Sequence, residues 1–224
     1  MQNYFQRSTM FLFFNGCSYT QGIRLENKKK QRFSTLVSNH YSADHVNISY
    51  AGGSNDKIVE STMEWLKDNT CDYGVILLTH CARLKLNKDI IPGSIQSSID
   101  CDIKRVFYEN FYDDEVGATN FYKNRYILEQ AFEKKGIPLI LMQYVPLPWQ
   151  GTNIWREMCN GELPLVAKTM NYAYELSPKI KTILGRIKNK EYYWLEHEKR
   201  IDGHFNFKGH RKVADFIISQ IDRH

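Results

Sequence analysis

Short, strongly apolar runs alternate along this chain with longer stretches that mix apolar and polar residues. Four runs bounded by turn residues predict buried strands, at residues 10–15, 45–49, 74–79 and 137–145. A fifth, weaker strand is predicted at residues 192–195, where aromatic residues favour extended backbone without a clean alternation. Continuous apolar runs separated by helical stretches are typical of a parallel sheet covered on both faces. The pattern therefore predicts one α/β domain.

Between the strands, apolar residues recur at helical spacing. Helices are predicted at residues 33–40, 54–68, 120–135, 170–184 and 209–221. The last is the clearest, because its apolar positions fall at i, i+3, i+4 and i+8 on one face, where Val213, Phe216, Ile217 and Ile221 stand. We expect this face to pack against the sheet.

Two stretches fit neither pattern. Residues 85–117 are aromatic and acidic in their second half, and residues 146–164 carry Trp149, Trp155 and three prolines. Each follows a predicted strand and so emerges at the carboxyl edge of the sheet, where open α/β folds bind their ligands. We expect both to be insertions that cover a site, within a single domain spanning residues 1–224. Ordinary packed surface loops are the alternative.

Composition and charge exclude only a few classes of function. The chain has 224 residues, 42% hydrophobic and 25% charged, a length that fits one domain better than two. Its net charge of +5 comes partly from the run at residues 28–30 and partly from a basic C-terminal third. Because this charge is modest and lies on no recognisable DNA-binding element, nucleic acid is not an expected partner.

The cysteines and the apolar runs indicate the cellular compartment in which the protein is expected. Five cysteines are scattered without a C-x-x-C pair, which indicates neither a disulfide framework nor a zinc site. The early apolar run at residues 10–14 is shorter than a secretory signal requires, and no stretch approaches the roughly 20 apolar residues that span a bilayer. We expect a cytoplasmic protein without membrane partners.

Candidate chemistry begins directly after the first strand, in the segment GCSYTQG at residues 16–22. Ser18 lies there, where the strand turns over at the carboxyl edge of the sheet. A serine hydroxyl is too weak an acid to attack an ester unaided, so it needs a neighbouring base and backbone N–H donors for the developing oxyanion. Taken alone, the segment also fits a serine that merely caps a helix.

A candidate base lies near the other end, in the segment DGHFNFKGH at residues 202–210. His204 precedes the last amphipathic helix and can reach toward Ser18, and Asp202 is close enough to orient it. On its own, His204 could be a surface histidine. His210 competes with it, but falls in the first turn of the helix, where we expect a structural part.

Together these segments resemble the SGNH (GDSL-like) hydrolases. FLFFNGCSYTQG resembles the first block of that family, with cysteine in place of the usual aspartate before the nucleophile. NISYAGGSND, at residues 47–56, is similar to the second block, in which an asparagine is followed five residues later by the oxyanion-hole glycine. DGHFNFKGH is similar to the last block, which carries the acid and the base. The matches occur in family order and span residues 11–217.

The resemblance implies a three-layer α/β/α, flavodoxin-like fold with about five parallel strands. It implies that Ser18 is the nucleophile, that His204 is its base and that Asp202 orients His204. The N–H groups of Ser18 and Gly52 would donate to the oxyanion. No metal and no organic cofactor is implied.

The third family block departs from the pattern. It normally supplies an asparagine amide to the oxyanion, whereas here the third strand runs into LLTHCAR at residues 77–83. Thr79 and Arg83 resemble the version found in a subset of SGNH-like proteins, many of them phage-associated. Thr79 or His80 could donate instead, and so could Asn55. The alternative for Asn55 is that it only opens the helix capped by Ser54.

The last block also departs, since the usual D-x-x-H is shortened to D-x-H, a spacing that also occurs in the phage-like subset. Asp202 could orient His204, another carboxylate or a carbonyl could do so, or a Ser18–His204 dyad could suffice. Cys17, next to the nucleophile, is expected to be a small buried residue rather than a reactive thiol.

These residues predict a serine esterase that acts through an acyl-Ser18 intermediate on a small acyl ester, with acetyl on a carbohydrate favoured. The expected partner is a small-molecule or carbohydrate ester. The alternative is a catalytically degenerate SGNH-like domain that binds a glycan or a partner protein, and nucleic-acid binding trails both.

Overall fold

The computed structural model describes residues 9–81, 83–85, 94–95, 106, 110–144, 154–159, 163, 194–197 and 200–224. Its strands are β1 (Phe11–Gly16), β2 (Asp44–Asn47), β3 (Tyr73–Leu78), β4 (Leu84–Lys85), β5 (Ser94–Ile95), β6 (Leu139–Gln143), β7 (Trp194–His197) and β8 (Arg200–Phe205). Its helices are α1 (Ser18–Gln21), α2 (Lys28–Gln31), α3 (Phe33–His40), α4 (Asn55–Asp68), α5 (Asp114–Lys135), α6 (Ile154–Glu157) and α7 (Phe207–Ile221).

Four strands form one parallel sheet, in the order β2-β1-β3-β6. Phe14 of β1 pairs with Asn47 on one side and with Val75 on the other, and Val75 pairs in turn with Ile140. All four strands therefore end at the same edge of the sheet, and the loops that follow β1, β2 and β3 meet there.

The side chains of successive strand residues pack alternately into two hydrophobic cores, one on each face of the sheet. Phe14 and its neighbours on that face pack with residues of α3 and α7, among them Phe33 and Ile217. Phe13 points the other way and packs with residues of α4 and α5, among them Ile58 and Phe132. The chain is thus a three-layer α/β/α fold, as expected.

The four strong strands lie within two residues of their predicted positions, and α3 coincides with its predicted range. Helix α5 begins earlier than predicted, at Asp114 instead of residue 120. The reason is local: the Asp113 carboxylate accepts a hydrogen bond from the Val116 N–H and caps the helix there.

The predicted fifth strand does not join the parallel sheet. Trp194 and Leu195 belong to β7, which pairs antiparallel with β8. Only two residues separate these strands, and such a connection makes a hairpin, whereas a parallel neighbour needs a crossover of a dozen or more residues. Among the described residues, the parallel sheet therefore has four strands rather than about five.

Several predicted features lie outside the described residues, namely the helix at 170–184 and most of the two stretches at 85–117 and 146–164. Within those stretches, β4 pairs antiparallel with β5, α6 forms one turn, and residues 114–117 belong to α5. Over the part of the chain that is described, no helix has both the length and the apolar character needed to cross a membrane.

Candidate active site

Ser18 is the first residue of α1, two residues beyond the end of β1. Its side chain is largely buried, and its carbonyl accepts the Gly22 N–H that closes this single turn at 3.0 Å. Gly16 permits the tight passage from strand to turn, since a Cβ on it would lie 2.1 Å from Thr20 Oγ1 and 2.9 Å from the Leu77 carbonyl oxygen. The sequence therefore holds Ser18 in a short, fixed turn at the carboxyl edge of the sheet.

Asn15, the last side chain before this turn, fastens β1 to α4. Its Oδ1 accepts the Gly16 N–H at 2.7 Å, and its Nδ2 lies within hydrogen-bonding distance of the Ile58 carbonyl oxygen and of Thr62 Oγ1 (3.1 and 2.8 Å). Asn15 is a structural residue that the sequence motifs do not identify. The sequence does contain an indication of this role. A polar residue at the end of an otherwise apolar strand needs hydrogen-bond partners once it is buried.

Asn47, at the end of β2, joins three neighbouring segments. Its Nδ2 donates to the Thr20 carbonyl at 3.0 Å and to Ser34 Oγ at 2.9 Å. Its Oδ1 accepts the Ser49 N–H at 3.1 Å. One half-buried amide thereby connects the turn that carries Ser18, helix α3 and the loop that leads to Gly52.

Gly52 lies in the tight turn that follows β2. The Gly53 N–H donates to the Tyr50 carbonyl at 3.0 Å, and the Tyr50 N–H donates to the Gly16 carbonyl at 3.2 Å, so this turn sits directly against the end of β1. Gly52 has φ 75°, a left-handed conformation that favours glycine, and a Cβ on it would meet nothing within 4 Å. Glycine is therefore needed for the backbone conformation and not for space.

Asn55 and Thr79 form a buried pair across the sheet edge. Asn55 Oδ1 accepts the Thr79 N–H at 2.8 Å, and Asn55 Nδ2 donates to the Thr79 carbonyl at 3.2 Å, while Ser54 Oγ caps helix α4. This geometry makes Asn55 a support for the loop after β3 and does not favour it as a direct oxyanion donor. The Thr79 hydroxyl is buried and has no hydrogen-bond partner within the described parts of the chain.

His204 lies in β8, and its half-buried ring reaches the turn that carries Ser18. The His204 ring stacks on Tyr19, with centroids 5.0 Å apart and planes inclined by 28°. Tyr19 is itself stacked on Tyr144, the residue that follows β6, at 3.9 Å, and the two tyrosine hydroxyls are 2.5 Å apart. The structure thus brings His204 to the residue next to Ser18, although His204 and Ser18 come from opposite ends of the chain.

The backbone of β8 is irregular at His204. Trp194 pairs with Phe205 and Leu195 with Asp202, so the two intervening residues of β8 have no counterpart on β7. Such bulges turn a side chain away from the regular alternation of a strand. Asp202 lies two residues before His204, at the last regular pair before the irregular step.

His210 has a different environment. It lies in the first turn of α7, fully buried, and its Nδ1 accepts the Phe33 N–H at 3.1 Å, which ties α7 to α3. Burial, with a smaller contribution from the charge of His204, lowers the pKa of His210 to about 3. His210 is therefore neutral at physiological pH and holds two helices together.

Two further residues close to the site, Asp56 and Cys17, contribute to the packing of the fold. Asp56 accepts hydrogen bonds from Asn120 and Asn124, at 3.2 and 3.0 Å, and so connects the start of α4 to α5. Cys17 is completely buried in the core beside α1. Among the residues that the structure describes, no group of three or more His, Cys, Asp or Glu side chains could hold a metal ion.

No family model matches the chain, and no curated protein matches it. Among solved structures, it is similar to the acetyl xylan esterase AlAXEase, with 16% identity, 95% of this chain and 100% of that chain covered, and a TM-score of 0.52. It is also similar to the psychrotrophic esterase EstA from Pseudoalteromonas sp., in a structure inhibited by monoethylphosphonate, with 11% identity, 95% and 97% covered, and a TM-score of 0.50.

A member of the lipolytic protein G-D-S-L family from Veillonella parvula DSM 2008 shows 16% identity, 96% and 100% covered, and a TM-score of 0.45. At such low identities the likeness is one of fold. The strand order, the three layers and the likeness to the first two of these structures agree on one conclusion: the chain has a three-layer α/β/α fold similar to that of these two esterases.

Proposed function

We propose that the chain is a serine esterase in which Ser18 is the nucleophile and His204 the base. The observation that carries the proposal is the stacking of the His204 ring on Tyr19, because Tyr19 follows Ser18 directly in the same helical turn. A base and a nucleophile from opposite ends of the chain thereby share one small region at the carboxyl edge of the sheet. The fold, which is that of known esterases, supports the same reading.

In the proposed reaction, Ser18 Oγ attacks the ester carbonyl carbon while its proton passes to His204. The carbonyl oxygen becomes an oxyanion and accepts hydrogen bonds from the N–H groups of Ser18 and Gly52. The first N–H groups of a helix have no partner inside the helix, so the Ser18 N–H at the start of α1 suits this task. Collapse of the intermediate releases the alcohol, which takes the proton from His204, and water then hydrolyses acyl-Ser18 by the same steps.

Thr79 is proposed as the third oxyanion donor, in place of the family's missing asparagine. Two features support it. Its hydroxyl is buried without a partner in the described structure, and a buried hydroxyl without a hydrogen bond costs about 1–3 kcal/mol. Its backbone is fixed at both polar atoms by Asn55. A substrate oxyanion would supply the acceptor that the hydroxyl lacks.

Asp202 is proposed to orient His204 and to stabilise its cation during the reaction. Its place in β8, two residues before His204, supports the assignment. The irregular step in the β7–β8 ladder allows a D-x-H spacing to depart from the simple alternation of a strand.

For the substrate, we propose a small acyl ester, with acetyl on a carbohydrate favoured. The similarity in fold to an acetyl xylan esterase supports this class. Tyr50 supports it too, since this tyrosine is 61% exposed in the turn that contains Gly52, where an aromatic face can pack on a sugar ring.

The test is hydrolysis of p-nitrophenyl acetate and of a panel of acetylated mono- and oligosaccharides. The wild-type protein should hydrolyse at least one of these esters, and Ser18→Ala should lose this activity. For His204→Ala, kcat should fall on the order of 10⁴-fold or more. Ser219→Ala is the matched control, because this serine lies in α7 and, among the described residues, bonds only to the Phe216 carbonyl and Gln220 in its own helix. Wild type that binds acetylated or free glycans without any turnover would favour the degenerate binding domain.

A further inference from the structure

One feature of the site has no counterpart in the proposed reaction steps, namely the pair of stacked tyrosines behind His204. Tyr19 and Tyr144 are both largely buried, and their ring centroids are only 3.9 Å apart with planes inclined by 29°. Their hydroxyls are 2.5 Å apart, so the two rings are joined at the edge as well as at the face. The ring of Phe205 also packs on Tyr19, with centroids 4.7 Å apart and planes inclined by 54°.

This packing leaves Tyr19 little freedom to move. A buried ring that is stacked on one side, tilted against a second ring and hydrogen-bonded at its hydroxyl has one position. Tyr144 is in turn fixed to the sheet, because its N–H donates to the Leu78 carbonyl at 3.0 Å. The position of Tyr19 is therefore determined by β3 and β6. The same holds for any ring that stacks on Tyr19.

His204 is a further ring stacked on Tyr19. The two rings are nearly parallel, inclined by 28°, and 5.0 Å apart, within the range where an aromatic face attracts a cation. When His204 takes the proton of Ser18, its ring becomes an imidazolium. An electron-rich face that is already in place stabilises that charge without any reorganisation.

We propose that Tyr19 is a positioning residue for His204. On this view the Tyr19–Tyr144 pair forms a rigid aromatic support that fixes the imidazole ring beside Ser18 and stabilises its protonated form. Because Tyr19 and Ser18 belong to the same turn, one rigid unit sets the position of both nucleophile and base. The inference rests on the proposed function, since it assigns Tyr19 a role in the same reaction.

The experiment compares Tyr19→Leu, which removes the aromatic face, with Tyr19→Phe, which keeps the ring and removes only the hydroxyl. For p-nitrophenyl acetate, Tyr19→Leu should lower kcat by roughly 3- to 30-fold with little change in KM, as expected when stabilisation of the cation is lost. Tyr19→Phe should retain most of the activity. Phe33→Leu is the matched control, because Phe33 belongs to the same buried cluster but packs on His210 and Phe14.

A second variant covers the case in which Tyr19→Leu does not fold. Tyr144→Leu leaves Tyr19 in place and removes the ring that fixes it, so kcat should fall by a smaller factor, again without a change in KM. Proton NMR of the His204 ring gives a readout independent of turnover. Its signals should move in Tyr19→Leu, where the ring current is lost, and stay nearly unchanged in Tyr19→Phe.

The outcomes separate the two proposals. If wild type hydrolyses no ester, the proposed function fails. If wild type is active and Tyr19→Leu keeps its full kcat, or loses no more than Phe33→Leu, the positioning role of Tyr19 is overturned and the proposed function stands. Unchanged His204 signals in Tyr19→Leu would overturn the stacking itself.

Discussion

At the scale of single residues, burial separates two histidines that the sequence presents as rivals. His204 and His210 lie six positions apart in one segment. His210 is buried and accepts a backbone hydrogen bond, and its lowered pKa keeps it neutral. His204 is only half-buried and rests on Tyr19 next to the candidate nucleophile. The place of His210 in the first turn of the last helix already favoured a structural part, but its partner Phe33 follows from tertiary contacts that the sequence does not reveal.

The lowered pKa of His210 predicts a pH dependence of stability. In the unfolded chain a histidine takes up a proton near pH 6.5, whereas the folded chain resists protonation until about pH 3. The stabilisation is therefore complete above pH 6.5 and is lost as the pH falls through that window, at up to about 1.4 kcal/mol per pH unit.

Urea unfolding at pH 7, 6, 5 and 4 measures this loss. His210→Gln keeps an acceptor for the Phe33 N–H but does not titrate, so its free energy of unfolding should fall less steeply than that of wild type. Parallel pH dependences for the two proteins would contradict the assignment of this slope to His210.

The buried hydroxyl of Thr79 predicts opposite effects on stability and turnover. Thr79→Val removes a polar atom that has no partner in the described structure, so the free energy of unfolding should stay the same or rise by about 1 kcal/mol. If the hydroxyl donates to the oxyanion, kcat should fall, by up to about 10²-fold. Paired measurements of urea unfolding and p-nitrophenyl acetate hydrolysis test this. A stable Thr79→Val variant with unchanged kcat would show that the Thr79 hydroxyl is not an oxyanion donor.

At the scale of elements, asparagine side chains fasten the ends of strands to neighbouring helices and loops. Asn15 fixes the end of β1 to α4, Asn47 fixes the end of β2 to α1 and α3, and Asn55 fixes the loop after β3. The sequence could predict the strands and helices, since apolar spacing determines them locally. It could not assign these amides, because their long-range partners lie 13 to 47 positions away and meet only in the folded chain.

Asn55 gives the sharpest test of this network. Asn55→Ala leaves the N–H and carbonyl of Thr79 buried without their partner, so it should cost about 2 kcal/mol or more of stability and lower kcat about 10-fold by freeing the loop. Ser54→Ala, at the adjacent position, removes the cap of α4 and should cost about 1 kcal/mol with little effect on kcat. Equal effects of the two variants on kcat would contradict a specific role for Asn55.

At the scale of the whole molecule, the parallel sheet explains how distant segments form one site. Strands β1 and β3 are hydrogen-bonded neighbours and end together, so Ser18 and Thr79 emerge at one edge. That gathering was predictable from the sequence, because parallel strands share their carboxyl edge. The pairing of β7 with β8 was not, since strand propensity in residues 192–195 says nothing about which strand becomes the partner.

The two hydrophobic cores predict that stability and catalysis can be separated. Phe132 is fully buried on the face covered by α4 and α5, whereas Tyr19 and Phe205 of the site pack in the opposite core. Phe132→Ala should cost about 3–5 kcal/mol of stability, and the protein that remains folded should keep its kcat. Thermal unfolding and kinetics at low temperature measure the two quantities. A loss of kcat in fully folded protein would show that the faces are coupled.

Covalent labelling of Ser18 tests the central claim most directly. Wild type is treated with a fluorophosphonate, whose reaction requires a serine activated by a base, and the modified residue is located by mass spectrometry. We expect one label, on Ser18, which is absent in Ser18→Ala and forms much more slowly in His204→Ala. A folded wild-type protein that takes up no label at high probe concentration, or takes it up on another residue, would contradict it.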